Sequence, residues 1–368
     1  MTLKVNTITD TAGTGAPDAS NGVTIKGTAL SSVSQMEYTA SSSEPTSPSG
    51  GALWFDTSDD TFYMYLNDLW YTIDYTPPIR LWYGDRGLFA GGASNTIDYF
   101  TISSAGNSTD FGDLINIPLD PAGCSDGSRG LFGGGYASFA WQNVIQYVTV
   151  ANTGNATDFG DLTVARKGLG ACSDGVKGVF GGGDTSGSIP SDVIDYVTVA
   201  TTGNATDFGN LTVARRANVG ACSNATRGLF GGGLSAGGNV NTIDYITIAS
   251  TGDATDFGDL TEAKRSTASC SNATRGIWAG GYAFSRTNVI EYVTISTTGN
   301  ATDFGDLTAA KMDLAACSNG TRGLIGGGST SSETINTLDY VVIDTTGNAS
   351  QFGYLSTQRK DMGACSGD

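Results

Sequence analysis

The 368-residue chain has no histidine, eight prolines and six cysteines, and only 15% of it is charged. Without histidine it lacks the commonest general base and the commonest metal ligand near neutral pH. Asp, Glu, Tyr or Lys chemistry stays open, but the expectation is a protein that is not an enzyme and carries no cofactor or metal. Basic residues are scarce too, 19 against 36 acidic ones, a formal charge of −17. That balance disfavours nucleic acid and anionic membranes as partners. No apolar run approaches the roughly 20 residues of a membrane helix, so no membrane insertion is expected. The opening MTLKVNTITD lacks a signal peptide's apolar core, which leads us to expect a soluble chain with no secretion signal of its own.

What is abundant is glycine, 53 residues, and it is periodic. From Arg86 onward a unit of about 48 residues recurs six times: RGLFGGG, then NTIDYITI, then GNATDFGDLT, then GACSN. The copies open at Arg86, Arg129, Lys177, Arg227, Arg275 and Arg322, and length varies mainly after the glycine triplet, where a surface loop absorbs insertions. Each unit holds four strand signals separated by turns. In the copy from Arg216 these are the small, apolar RANVGACSN, RGLFGGG, NTIDYITI and DFGDLT, the last anchored by Phe257. In the third strand Ile243, Tyr245 and Thr247 should face one side, Asp244 and Ile246 the other.

Four antiparallel strands per unit around an axis make an all-β, six-bladed β-propeller. An open solenoid would need atypical capping copies, and none stands at either end. The last copy stops at the inner-strand signature KDMGACSGD, so Met362 to Ser366 is expected to complete the blade begun by Arg86 to Leu114. The cysteines, Cys124, Cys172, Cys222, Cys270, Cys317 and Cys365, occur once per unit. Equivalent positions in packed sheets lie about 10 Å apart, beyond disulfide reach, so free buried thiols are expected.

The order of signals resembles the kelch repeat. Its glycine pair, tyrosine, aromatic and basic residue fall here on Gly134 and Gly135, Tyr147, Phe159 and Arg166. The chain departs from kelch where that family usually carries tryptophan, having phenylalanine in all six units, and it lacks the histidines that kelch-like galactose oxidase uses to bind copper.

The N-terminal part is organised differently. Residues 1–42 alternate β-branched and polar residues, 43–51 form a polar linker, 52–75 make a three-stranded meander, and 76–368 the propeller. Trp54, Phe55, Phe62, Tyr63, Tyr65, Trp70 and Tyr71 exceed what three strands can bury, which favours oligomerisation. LKVNTITDTAGTGAPDASNGVTIKG and LWFDTSDDTFYMYLNDLW resemble N-terminal regions of bacteriophage tail-fibre and virion appendage proteins. That resemblance implies attachment to other virion proteins, a homotrimer, a location on the virion after synthesis in the host cytoplasm, and a distal domain that binds a host-surface glycan or protein.

Loops joining strands two to three and four to one share one face. The latter carry Arg166 and Lys167, Arg215 and Arg216, Lys264 and Arg265, Lys311, and Arg359 and Lys360. They could form a cationic rim for an anionic polysaccharide, or pair with repeated acids such as Asp158 and Asp161 and join blade to blade. The copy-specific loops hold Tyr136, Phe139 and Trp141 in one unit and Tyr282, Phe284 and Arg286 in another, aromatics suited to sugar stacking, a protein contact or a subunit interface. Sequons such as Asn155-Ala-Thr and Asn204-Ala-Thr fall at turns and would stay unmodified in a protein made in bacterial cytoplasm; DFGD lacks a calcium loop's spacing. The leading expectation is a virion fibre or adhesin. Alternatives are a virion decoration protein, whose propeller binds viral proteins, and a glycan hydrolase, disfavoured because Asp195 and Asp244 recur in most blades as scaffold acids would.

Overall fold

The computed structural model of the chain describes residues 24–25, 28–29, 38–48, 52–56, 61–66, 69–73 and 83–368. It divides into two units, Met1–Ile79 and Arg80–Asp368. Most of the attachment segment expected over residues 1–42 lies outside the described residues.

In the first unit the strands Leu53–Asp56, Thr61–Leu66 and Leu69–Ile73 form the expected antiparallel meander. A fourth strand, Tyr38–Ser41, pairs with Leu53–Asp56 in parallel. The stretch read as a linker therefore includes the crossover that a parallel pair requires. Trp54 is buried, stacks on Tyr63 at 4.9 Å, meets Trp70 at 5.6 Å and donates its indole N–H to Ser41 O at 3.1 Å.

The second unit is a six-bladed β-propeller. Blade 2 shows the plan: inner strand Ala122–Ser125, then Arg129–Gly133, Val144–Thr149 and the outer strand Thr157–Asp161, each antiparallel to the next. The inner strands of blades 3 to 6 are Gly170–Ser173, Gly220–Ser223, Ala268–Ser271 and Ala315–Ser318. Blade 1 is assembled from both ends of the unit: Met362–Gly367 pairs residue by residue with Arg86–Gly91 and supplies the inner strand. The Asp368 carboxylate accepts from Asp85 N–H at 2.6 Å, and Asp368 N–H donates to Gly127 O of blade 2 at 2.8 Å.

The core lies between blades rather than within one sheet. One cluster joins Cys222, Leu229, Ile243, Phe257 and Leu260 of blade 4 to Trp278, Val293 and Ile295 of blade 5. Ile246, on the opposite face of the same third strand as Ile243, packs into the cluster shared with blade 3. Both faces of the strand are thus covered, which the alternation alone did not reveal. The cysteines, all free and buried, sit in these layers. Cys365 rests against blade 2, where a methyl on Gly130 would come within 2.7 Å of its sulfur; Cys124 meets Gly178 of blade 3 in the same way, and the relation continues round to Cys317 and Gly87.

The outer edges are also managed between blades. Each pairing of third and outer strands carries a β-bulge, as at Ile145/Gln146, which turns the outer strand. The turn of the next blade then covers that strand: Gly154 N–H donates to Phe111 O, Ala156 N–H to Asp113 O, both at 2.8 Å, and Asn155 Oδ1 accepts from Asp113 N–H at 3.0 Å. Asn204, Asp253, Asn300 and Asn348 repeat the side-chain contact. The recurring asparagines of the sequons therefore cap an edge that would otherwise invite strand pairing.

Deleting residues 362–368 should remove the inner strand of blade 1 and uncover the paired edge of Arg86–Gly91. Far-UV circular dichroism should then show a lower and broadened melting transition; an unchanged melt would contradict closure by this strand.

Candidate functional site

The basic residues between outer and inner strands divide into two classes. Arg166, the first of its pair, is fully buried and bound to Asp195 of blade 3 at 2.7 Å. Its guanidinium also donates to Gly182 O at 3.1 Å and Phe180 O at 3.2 Å. Asp195 in turn accepts from the Thr163 hydroxyl at 2.5 Å. Arg215 pairs in the same way with Asp244, Lys264 with Glu291, Lys311 with Asp339 at 2.9 Å, and Arg359 with Asp98. Burial pulls Arg166, Arg215 and Arg359 below the usual guanidinium range, against the pull of the paired carboxylates.

Arg166, Arg215 and Arg359 consequently do not line an exposed cationic rim. Nor are their partners Asp158 and Asp161; they are the acids in the middle of the third strands. Asp195 and Asp244, read above as scaffold acids, are held inside these pairs. The junction from blade 1 to blade 2 confirms the logic. There Pro118 stands at the cation's place and Gln146 at the acid's; Gln146 accepts from Ile115 N–H at 2.7 Å and donates to Asn116 Oδ1 at 3.0 Å. Cation and acid are absent together, as they must be where an unpaired buried charge costs several kcal/mol.

The cations opening the second strands are engaged as well. Arg129 lies 5.0 Å from the Tyr147 ring centroid and donates to Ala200 O of blade 3 at 2.8 Å. Arg86, Lys177, Arg227, Arg275 and Arg322 make equivalent contacts with their own tyrosines.

The chain enters the propeller at Tyr83, which lines one end of the axial channel together with the Cys-Ser pairs of the inner strands. Burial drives all six thiols upward, that of Cys270 to about 12, so they are poor nucleophiles at neutral pH.

At the other end the inner strands are preceded by a ring of left-handed residues, Asp120, Gly168, Ala217, Ser266, Asp313 and Asp361, with φ between 56° and 66°. Backbone hydrogen bonds run round it: Asp120 N–H to Asp361 O at 2.9 Å, Asp361 N–H to Asp313 O at 3.0 Å, and Asp313 N–H to Ser266 O at 3.1 Å. Three neighbours in the ring are thus aspartates. Burial, reinforced by Asp120 and Asp313 and opposed by Lys360, raises Asp361 to about 8. Among the described residues no group of three His, Cys, Asp or Glu is arranged to hold a metal ion.

The copy-specific loops rise from this face. In blade 2 the hairpin Tyr136–Ala137/Ala140–Trp141 turns through Ser138 and Phe139, whose φ values of 51° and 62° fit a type I′ turn. Phe139 at its tip is 95% exposed. The base is rigid: Tyr136 meets Trp141 edge-on at 5.2 Å, Trp141 donates to Asp184 of blade 3 at 3.3 Å, and Lys167 sits over Tyr136 while paired with Asp120 at 3.2 Å. In blade 5 Phe284 is fully exposed, whereas Tyr282 is half-buried under Arg265, 4.7 Å from its ring centroid. Arg265 also donates to Asn239 Oδ1 at 2.9 Å, and Arg286 to Ser329 O of blade 6 at 3.0 Å.

Of the residues singled out from sequence, only Phe139 and Phe284 stand free at loop tips; Tyr136, Trp141, Tyr282, Arg265 and Arg286 build their supports. The structure adds Ile189 of the blade 3 loop, 60% exposed, and Ile115 and Ile117 at the junction of blades 1 and 2, both 54% exposed. Their signal was isoleucine in segments otherwise polar or proline-containing. No family model and no curated protein matches the chain.

Because the fold holds the Asp361 proton more tightly than the unfolded chain does, this group favours folding at low pH, and that contribution is lost as pH rises from about 4 to about 8. Asp361→Asn keeps a residue that tolerates the left-handed backbone. Urea titrations should show the variant more stable than the parent at pH 9, with the gap closing toward pH 4; a gap independent of pH would contradict the assignment.

Proposed function

We propose that this chain is a virion fibre or adhesin whose propeller recognises a host surface through the loop tips on the face opposite its point of chain entry, binding without chemistry. The observation that carries this reading is Phe139: a bulky, almost fully exposed side chain held in the left-handed region, where a non-glycine residue costs about 1 kcal/mol or more. Such strain at an exposed tip serves neither core nor turn, since glycine would do better at the same place. Phe284 presents the same chemistry from blade 5.

The N-terminal unit supports the other half of the reading. Its sequence resembles fibre attachment regions, and its small sheet concentrates Trp54, Tyr63, Tyr65 and Trp70 beyond the needs of four short strands. In this reading it attaches to the virion and trimerises.

The test is binding of the labelled full-length chain to a panel of bacterial strains. Saturable binding to at least one strain is expected, falling at least tenfold for Phe139→Ala. Since the side chains at the tips are apolar, raising salt from 0.1 to 0.5 M should change affinity less than threefold. Failure to bind any strain, with capture by purified virions instead, would favour the decoration protein.

A further inference from the structure

We infer that Arg265, Tyr282 and Arg286 form an anion-binding site on the loop face, which takes an oxyanion, a carboxylate or phosphoryl group, between two arginines set on either side of one aromatic ring. The inference stands apart from the adhesin reading, since it concerns what the chain binds in solution.

Two β-bridges build the site. Tyr282 of the blade 5 loop pairs antiparallel with Arg265 on one side and with Arg286 on the other. Residues opposite one another in antiparallel strands point to the same face, so the three side chains form a row with the ring in the middle and the arginine Cα atoms about 10 Å apart. The first bridge is hydrogen-bonded in both directions, Tyr282 N–H to Arg265 O at 2.8 Å and Arg265 N–H to Tyr282 O at 3.1 Å. The second is framed by Thr287 N–H to Gly281 O and Ala283 N–H to Ser285 O, both at 3.0 Å.

Each guanidinium is then held by neutral groups. Arg265 lies 4.7 Å from the Tyr282 ring centroid and donates one N–H to Asn239 Oδ1 at 2.9 Å. Asn239 has only that oxygen to offer, because its amide nitrogen donates to Tyr282 O and Ala283 O at 3.0 and 3.1 Å. Arg286 donates its Nε–H to Ser329 O of blade 6 at 3.0 Å. These contacts fix both arginines but leave most of each donor fork for a ligand. They also leave the charges unmet: among the described residues neither arginine forms a salt bridge, nor does Arg216, at the place of Arg265 one blade earlier. The lysines of this face differ, Lys167 being paired with Asp120 and Lys360 with Asp313 and Asp361.

In a chain with 36 acidic residues, two braced arginines without a carboxylate concentrate positive potential at one place. Guanidinium forks match the paired oxygens of carboxylate and phosphate, and forks already immobilised lose less entropy on binding. Salt screens such a site, whereas contact through Phe139 is apolar, so the two kinds of binding are separable.

The experiment treats the full-length chain with phenylglyoxal, which modifies accessible arginines, at constant ionic strength, and follows each arginine by peptide mass spectrometry. Saturating inorganic phosphate should slow modification of Arg265 and Arg286 by about fivefold or more, as engagement of their forks requires, while Arg227 at the chain-entry end changes by less than about twofold. Glucuronate tested in parallel separates the sources of the oxyanion: the probe that protects at the lower concentration identifies a phosphoryl or a uronate ligand. Arg286→Gln should abolish protection of Arg265, and Arg265→Gln that of Arg286. Protection in the parent chain is measured without any variant, so a poorly folded variant does not decide the outcome. No protection by either probe, equal protection of Arg227, or undiminished protection of the remaining arginine in a folded variant would overturn the inference. Each of those results leaves the adhesin reading intact, because none involves cells.

Discussion

At five of its six junctions the propeller depends on a cation carried from one blade into the buried interior of the next. Arg166 leaves the outer strand of blade 2 and ends on Asp195 of blade 3, satisfying three carbonyls, those of Phe180, Gly182 and Val193, on the way. Ion pairs taken out of water gain little net stability over well-packed apolar residues, but removing one partner strands the other. Their effect is to make each connection find one neighbour in one register. A sheet of four short strands is marginal alone, and here its core residues, edge caps and charges are all completed by the blade beside it.

That arrangement explains how the repeated residues are used. The cysteine fits beside the next blade's glycine, the turn asparagine covers the previous blade's outer strand, and the leading cation lies over its own tyrosine while reaching the next blade's carbonyls. The positions that differ between copies are the loop tips. The strain at Phe139 fits that division, because a site free of structural duty tolerates a locally unfavourable backbone when something else is gained.

The period, the four strands per unit and closure by Met362 to Gly367 were legible from sequence because glycines and alternation report local geometry. The blade-to-blade pairing of Arg166 was one of two readings left open, but its partner was not identified, since Asp195 lies 29 residues on and the contact exists only after two blades pack. One clue was present: an acid between two apolar residues in Ile-Asp-Tyr, facing a side that alternation assigned to Ile246 as well. The strand Tyr38–Ser41 escaped notice because parallel pairing leaves no turn signal. Of the aromatic candidates, loop position correctly marked exposed segments, but a one-dimensional reading could not separate Phe139 at the tip from Tyr136 and Trp141, which brace the hairpin's base.

The most direct test of this interlocking is a double-mutant cycle on Arg215 and Asp244, read by urea denaturation of the full-length chain. Arg215→Met or Asp244→Leu alone should each lower stability by about 3–5 kcal/mol, and the two together should recover most of that loss. Additive losses in the double variant, or single variants as stable as the parent, would contradict the claim that a buried pair fixes one blade to the next at five of the six junctions.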